Sequence, residues 1–258
     1  MIIDKIIADK RAELLDTKAA LPLEEVKAMA ADATQTVDFA SVLIDPERLT
    51  IIAEVKKASP SKGIIRADFD PVGIAAVYEQ SGARAVSVLT ERKYFQGDLR
   101  FLRDISEGVN IPVLRKDFIF DPYQVYESRA NGADAVLLIA SVLSPGEIRD
   151  LYHLAKELGM DAVLEVHDEA DVAKAAASNC LVIGINNRDL KTFEVDIKNT
   201  AYLIEDIPEG RVVISESGIS TLEDLKYLRG AGADAALIGE AIMREKDYGR
   251  KLRELANG

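Results

Sequence analysis

Eight short apolar runs, rich in β-branched residues, alternate along the chain with longer segments of helical period. The runs are residues 51–55 (IIAEV), 85–89 (AVSVL), 112–116 (PVLRK), 135–139 (AVLLI), 162–166 (AVLEV), 181–185 (LVIGI), 211–215 (RVVIS) and 235–239 (AALIG). Segments such as 71–81 (PVGIAAVYEQS), 144–158 (SPGEIRDLYHLAKEL) and 220–229 (STLEDLKYLR) lie between them and read as amphipathic helices. Pro71 and Pro145 suit a first helical turn, and Ser220 or Thr221 suits an N-cap. Four junctions repeat one another: SGARAVSVL (81–89), NGADAVLLI (131–139), LGMDAVLEV (158–166) and AGADAALIG (231–239). In each, a glycine can end a helix in the left-handed conformation, and a short turn then enters a buried strand.

Eight such units within about 210 residues favour a closed barrel over a doubly wound sheet. The runs are apolar on both faces, as parallel strands covered by helices must be. No GxGxxG follows the first run, so a dinucleotide-binding sheet lacks its main support. The expected fold is therefore α/β, a single (β/α)8 TIM barrel over residues 49–258 with an N-terminal helical extension over 1–48. The extension reads as two helices, about 2–16 and 22–31, packed on the barrel. No linker rich in Gly, Ser or Pro divides the chain, so 1–258 is read as one domain.

The chain has 258 residues, 48% of them apolar and 29% charged, with a formal net charge of −12. An acidic chain lacks the basic face that nucleic acid requires. No segment approaches the roughly 18 consecutive apolar residues of a membrane helix, and charges interrupt the N-terminus too often for a signal peptide. The expectation is a cytoplasmic protein with no nucleic-acid or membrane partner. One cysteine and two histidines leave no disulfide framework and few soft metal ligands. Cys180 opens the sixth run and reads as core packing, and His153 as a surface residue. His167 follows the fifth run, within reach of the barrel mouth but with no role assigned.

In a barrel, alternate strand residues point inward and chemistry gathers at the strands' C-terminal ends. That parity puts Ile52, Glu54 and Lys56 on one face, then Leu114, Lys116 and Phe118, then Val163, Glu165 and His167. The sixth run gives Gly184, Asn186 and Arg188, and the seventh Val212, Ile214 and Glu216. An apolar or small inner residue is followed each time by a polar one at the strand end. Three cations (Lys56, Lys116, Arg188) and three carboxylates (Glu54, Glu165, Glu216) can balance one another, or rearrange around an anion. Buried charges are costly without such partners.

The seventh run continues into SESGIST (215–221) and the eighth into LIGEAIM (237–243). Glycines at these two strand-to-helix handovers suit a phosphate site built from backbone N–H groups, with Gly218, Gly239 and Glu240 as candidates. The loop KASPSKGIIRADFD (57–70) is long for its place and reads as a lid over an anion.

At these residues the chain resembles the indole-3-glycerol phosphate synthase family. The resemblance is carried by IAEVKKASPSKG (52–63), PVLRKDFIFDPYQVYES (112–128), LEVHDEAD (164–171), GINNRDLKTF (184–193), ISESGI (214–219) and LIGEAIM (237–243), and it spans essentially the whole chain. It implies ring closure of 1-(2-carboxyphenylamino)-1-deoxyribulose 5-phosphate with loss of carbon dioxide and water. That is a carboxy-lyase step of tryptophan biosynthesis, with no metal and no organic cofactor. It further implies that Lys116 is the general acid on the ketone oxygen and that Glu165 serves in proton transfer. Lys56 would contact the substrate carboxylate and supply a proton during loss of water. Glu54 and Asn186 would hold hydroxyls and orient the lysines, Arg188 would contact substrate, and Glu216 and Ser217 would complete the polar wall. Phe118 and Leu190 would flank the aromatic ring, while Ser59, Gly218, Gly239 and Glu240 fall at phosphate positions. The chain departs from the family at Glu240, where relatives often carry serine. The implied partner is a small phosphorylated substrate, for a monomer or weak homo-oligomer.

Two alternatives stay open. Another phosphosugar barrel, such as phosphoribosylanthranilate isomerase, would keep the phosphate loops but work with a Cys and an Asp at strand ends. A non-catalytic barrel binding a phosphorylated metabolite would keep Gly218 and Gly239 without needing Lys116 or Glu165.

Overall fold

The computed structural model describes residues 2–189 and 192–257; Leu190 lies outside the described residues. Eight parallel strands close on themselves: β1 (Thr50–Val55), β2 (Ala85–Leu89), β3 (Val113–Lys116), β4 (Ala135–Ile139), β5 (Asp161–Val166), β6 (Val182–Asn186), β7 (Val212–Glu216) and β8 (Ala235–Ile238). β1 pairs with β2 on one side and with β8 on the other, so no strand edge is left open. The eight strands fall at the eight apolar runs, and the fold is the expected TIM barrel.

Strand parity separates two cores. Ile51, Ala53, Val86, Val88, Leu138, Leu164 and Ile183 face outward against the helices. Ile52, Leu114, Leu137, Val163, Val182 and Ile214 face inward. Both sets are buried, which is why the runs lack polar alternation.

The joints form as the repeat predicts. Gly82, Gly132, Gly159 and Gly232 have φ of 97°, 80°, 78° and 101°, the left-handed conformation that a Cβ would strain. Three of the four are followed by an aspartate, which does more than turn the chain. Asp134 accepts from the N–H of Val113 at 2.7 Å, and Asp234 from that of Val213 at 2.8 Å. Each therefore satisfies a donor at the start of a neighbouring strand, the first of β3 and the second of β7. Pro71 begins α4 (Pro71–Gln80) and Pro145 begins α7 (Pro145–Glu157), while Thr221, not Ser220, caps α10 (Leu222–Gly230).

The extension begins with α1 (Ile2–Ala20) and α2 (Leu23–Asp32), a turn longer than expected for the first. A one-turn helix, α3 (Phe39–Val42), follows, which the sequence reading missed. Phe39 and Leu43 are fully buried against Ile52, Leu114 and Val212, so this turn stops the lower end of the barrel. Asp161 and Asp134 hold it there by accepting from the N–H groups of Ala40 at 3.0 Å and Val37 at 2.7 Å.

The loop after β1 is shaped by a small hairpin, with Ala58 opposite Ile64 and Ser59 opposite Gly63. Its far side is fastened: Arg66 donates to the carbonyls of Met243 (3.2 Å) and Glu245 (3.1 Å) and lies over the Tyr248 ring. No described helix is long and apolar enough to cross a membrane.

Candidate active site

A cavity of about 420 Å³ opens at the C-terminal end of the barrel. Its lining includes Glu54, Lys56, Ser59, Lys116, Phe118, Glu165, Asn186, Arg188, Glu216, Ser217, Gly218, Gly239 and Glu240. Every candidate within the described residues is therefore brought to one place, and the parity argument accounts for most of them. Three further contributions were not legible in the sequence. Ile2, Ile3 and Ile6 of α1 form part of the wall, as do Phe95 and Phe193. The Phe95 ring lies 6.4 Å from that of Phe118, extending the apolar side on which an aromatic ring could rest. Arg244 reaches the rim from the end of α11 (Glu240–Met243).

Lys116 is the hub. Its Nζ lies 3.1 Å from Glu165 Oε2 and is hydrogen-bonded to Glu216. Burial alone would lower the ammonium's pKa, but the charges of Glu216, Glu165 and Glu54 outweigh it and raise it. The sequence could not decide that contest. In Glu165 burial works the other way, and Lys116 and His167 overcome it, holding the carboxyl well below its usual range. Burial, with the charge of Glu165, pushes the Glu216 carboxyl up against the pull of Lys116. Two carboxylates beside one lysine thus have opposite proton affinities, which is how a site divides acid and base roles.

Two glycines make room for this arrangement. A Cβ on Gly184 would stand 2.3 Å from Glu216 Oε1, and one on Gly239 would stand 2.2 Å from Glu54 Oε2. Gly239, read from sequence as a phosphate residue, is thus required first by the Glu54 carboxylate, which pairs with Lys56. Gly218 has φ of 81°, and a Cβ there would meet Val195 at 2.4 Å. Ser217 beside it has φ of 70°, a costly conformation for a residue with a side chain. Asn187 holds it: its Nδ2 donates to the Ser217 carbonyl at 3.1 Å and to Ser215 Oγ at 3.0 Å, and its Oδ1 accepts from Thr200. Glu240, expected from the sequence at a phosphate position, has its carboxylate ion-paired to Arg244 at 2.9 Å.

Behind the mouth, Asp117 is fully buried and takes Lys10 of α1 and Arg115, each at 3.1 Å, with Thr90 at 2.6 Å. Its Oδ1 accepts from the Phe118 N–H at 2.8 Å, so α1 is fastened to the turn that follows Lys116. His153 is exposed and Cys180 fully buried, as expected. Cys180 precedes β6, at the end of the barrel opposite the cavity, where a Cys-dependent isomerase chemistry could not use it. His167 shares the parity of Glu165 but turns out of the mouth. No group of three or more metal-ligating side chains occurs among the described residues.

A closed eight-stranded barrel with lysine and glutamate side chains converging at the C-terminal strand ends defines the class: an enzyme built on the (β/α)8 fold. Residues 3–255 match the family model described as indole-3-glycerol phosphate synthase. An indole-3-glycerol phosphate synthase from Acetivibrio thermocellus is 50% identical over 256 residues, covering 98% of each chain. One from Alkaliphilus metalliredigens is 47% identical over 258 residues, covering 100% of this chain and 99% of the relative. The chain belongs to the indole-3-glycerol phosphate synthase family. Among solved structures, 3-hexulose-6-phosphate synthase superposes with a TM-score of 0.66 at 14% identity, covering 81% of this chain and 99% of that one. Orotidine 5′-phosphate decarboxylase from Pyrococcus horikoshii gives 0.60 at 13%, covering 81% and 100%. These two share the fold.

Proposed function

We propose that this chain is an indole-3-glycerol phosphate synthase, a carboxy-lyase that closes the indole ring of 1-(2-carboxyphenylamino)-1-deoxyribulose 5-phosphate with loss of carbon dioxide and water. The observation that carries the reading is the Lys116 hub between Glu165 and Glu216 at the base of a cavity with one apolar side. Lys116, kept protonated by its carboxylates, gives its proton to the ketone oxygen as the aromatic ring attacks the carbonyl carbon. Glu165, kept ionised, takes a proton during ring closure and dehydration. Lys56 meets the substrate carboxylate, and its proton assists departure of water. Glu54 and Asn186 hold hydroxyls and orient the lysines, Arg188 contacts substrate, and Glu216 and Ser217 form the polar wall. Phe118, with Leu190, flanks the ring and holds it in attack geometry. Ser59 and the backbone of Gly218, Gly239 and Glu240 receive the phosphate, with Arg244 as a nearby cation that Glu240 restrains. Decarboxylation restores aromaticity, so these residues suffice without an electron-withdrawing cofactor. A small phosphorylated substrate is the partner this site fits. We read residues 1–258 as one domain and the protein as cytoplasmic.

The test follows indole fluorescence on mixing purified protein with the carboxyphenylamino-deoxyribulose phosphate. The chain has no tryptophan, so product emission is unmasked. Lys116→Ala and Glu165→Ala are each expected to lower kcat by about 10²–10⁴, the usual worth of a positioned acid or base. Absence of turnover by folded wild-type protein overturns the reading.

A further inference from the structure

His167 is a neighbour of Glu165 that the roles above leave unused. It leaves the mouth after β5 and lines a second cavity, of about 1180 Å³, bounded by α1, the loop after β5 and the segment leading to α9 (Lys198–Leu203). Its side chain is 9% exposed, and its Nε2 stands 3.2 Å from Glu165 Oε1. Its Nδ1 stands 3.7 Å from Asp171 Oδ2, on α8 (Glu169–Ala177). Neither nitrogen is aligned for a full hydrogen bond. The backbone fixes the ring's place: the His167 N–H donates to Asp171, and the His167 carbonyl accepts from Asn199 Nδ2 at 3.3 Å.

The two oxygens of Glu165 therefore meet different cations, Lys116 at Oε2 and His167 at Oε1. When Lys116 gives up its proton, the charge facing Oε2 disappears. A buried carboxylate left with no cation takes up a proton and can no longer act as a base.

We propose that His167 is a positioning residue for Glu165: its imidazolium, seated between Glu165 and Asp171, keeps Glu165 ionised and aimed into the mouth after Lys116 has spent its proton. The inference rests on the reading of Glu165 as a proton-transfer group. Burial alone would lower the histidine's pKa, but Asp171 and Glu165 reverse this and raise it to about 9. Other charges bear on the ring as well. Lys116 and Glu216 stand beyond Glu165, and Lys174 lies 3.4 Å from Asp171 Oδ1. Across the second cavity stand Asp4 and Arg11 of α1, Asp168 beside α8, Lys198 of α9, and Asp189, Glu194 and Asp196 between β6 and α9.

The test measures kcat and KM against pH for wild type, His167→Gln, Asp171→Asn and Glu165→Gln, each checked by circular dichroism. His167→Gln is expected to lower kcat about tenfold or more with KM nearly unchanged, and to move the acid limb of kcat up by about one pH unit. Asp171→Asn is expected to bring the alkaline limb to lower pH, because the imidazolium loses one of its two carboxylates. A folded His167→Gln with the wild-type profile overturns the proposal. If that variant does not fold, an unmoved alkaline limb in Asp171→Asn overturns it instead. Glu165→Gln separates the two readings: full activity there refutes the role of Glu165 itself, whereas inactivity there with unaffected His167→Gln refutes only the positioning role.

Discussion

Ser217 and Gly239 show how single residues are held to unusual terms at this mouth. A non-glycine residue in the left-handed region costs about 1–2 kcal/mol, and the Asn187 network sustains that cost at Ser217. Ser217→Gly is therefore expected to raise stability by about 1 kcal/mol in urea denaturation while lowering kcat/KM, since a polar wall residue is lost. At Gly239 a single methyl group would press on the Glu54 carboxylate and displace it from Lys56. Gly239→Ala should lower kcat/KM by at least about tenfold at nearly normal secondary structure, read by the indole assay and far-ultraviolet circular dichroism. Parity made Glu54, Lys56, Lys116, Glu165, Asn186 and Glu216 legible, because a strand's side chains alternate strictly. His167 escaped the same rule because β5 ends at Val166 and the chain turns toward the Asp168 cap of α8. The demand of Glu54 on Gly239 comes from a neighbouring strand, and no local pattern records it.

Among the elements, α1 does more than cover the barrel. Its Lys10 reaches Asp117, whose carboxyl burial would raise but Lys10, Arg115 and Thr90 hold down at about 2. A folded pKa below the unfolded 3.8 means a stabilising contribution that is present above pH 3.8 and lost as pH falls through about 2. Lys10→Met should raise the pKa of Asp117 and so move the acid-unfolding midpoint to higher pH. At neutral pH it should cost less than the about 3–5 kcal/mol of a lone broken buried pair, because Arg115 remains. An acid titration followed by circular dichroism checks both. The helices α1 and α2 were legible from their period. The turn α3 was not, since four residues carry no periodicity and Phe39 is placed by the barrel interior. The hairpin in the loop after β1 was likewise hidden, because its two-residue strands are too short to alternate.

For the molecule as a whole, ring closure of the sheet ties local opening to global unfolding. Cys180 is fully buried just before β6, and burial raises its thiol pKa. Its reaction with a thiol reagent should be slow in native protein and should follow global stability across a urea series; rapid labelling without denaturant would contradict the closed barrel. The closed topology was legible from the count of eight strand–helix units, and the end that carries the cavity from the polar residues at the strands' C-terminal ends, whereas the stopper at the other end was not legible. At the lower end Phe39 and Leu43 act as a stopper, and the cavity among the barrel's inward-facing polar residues opens at the other end. A bulky product formed in that cavity leaves at the end of the barrel where the substrate entered. Traffic is then two-way at a mouth lined in part by α1 and the fastened loop after β1, and any change that grips the incoming molecule more firmly also delays the outgoing one.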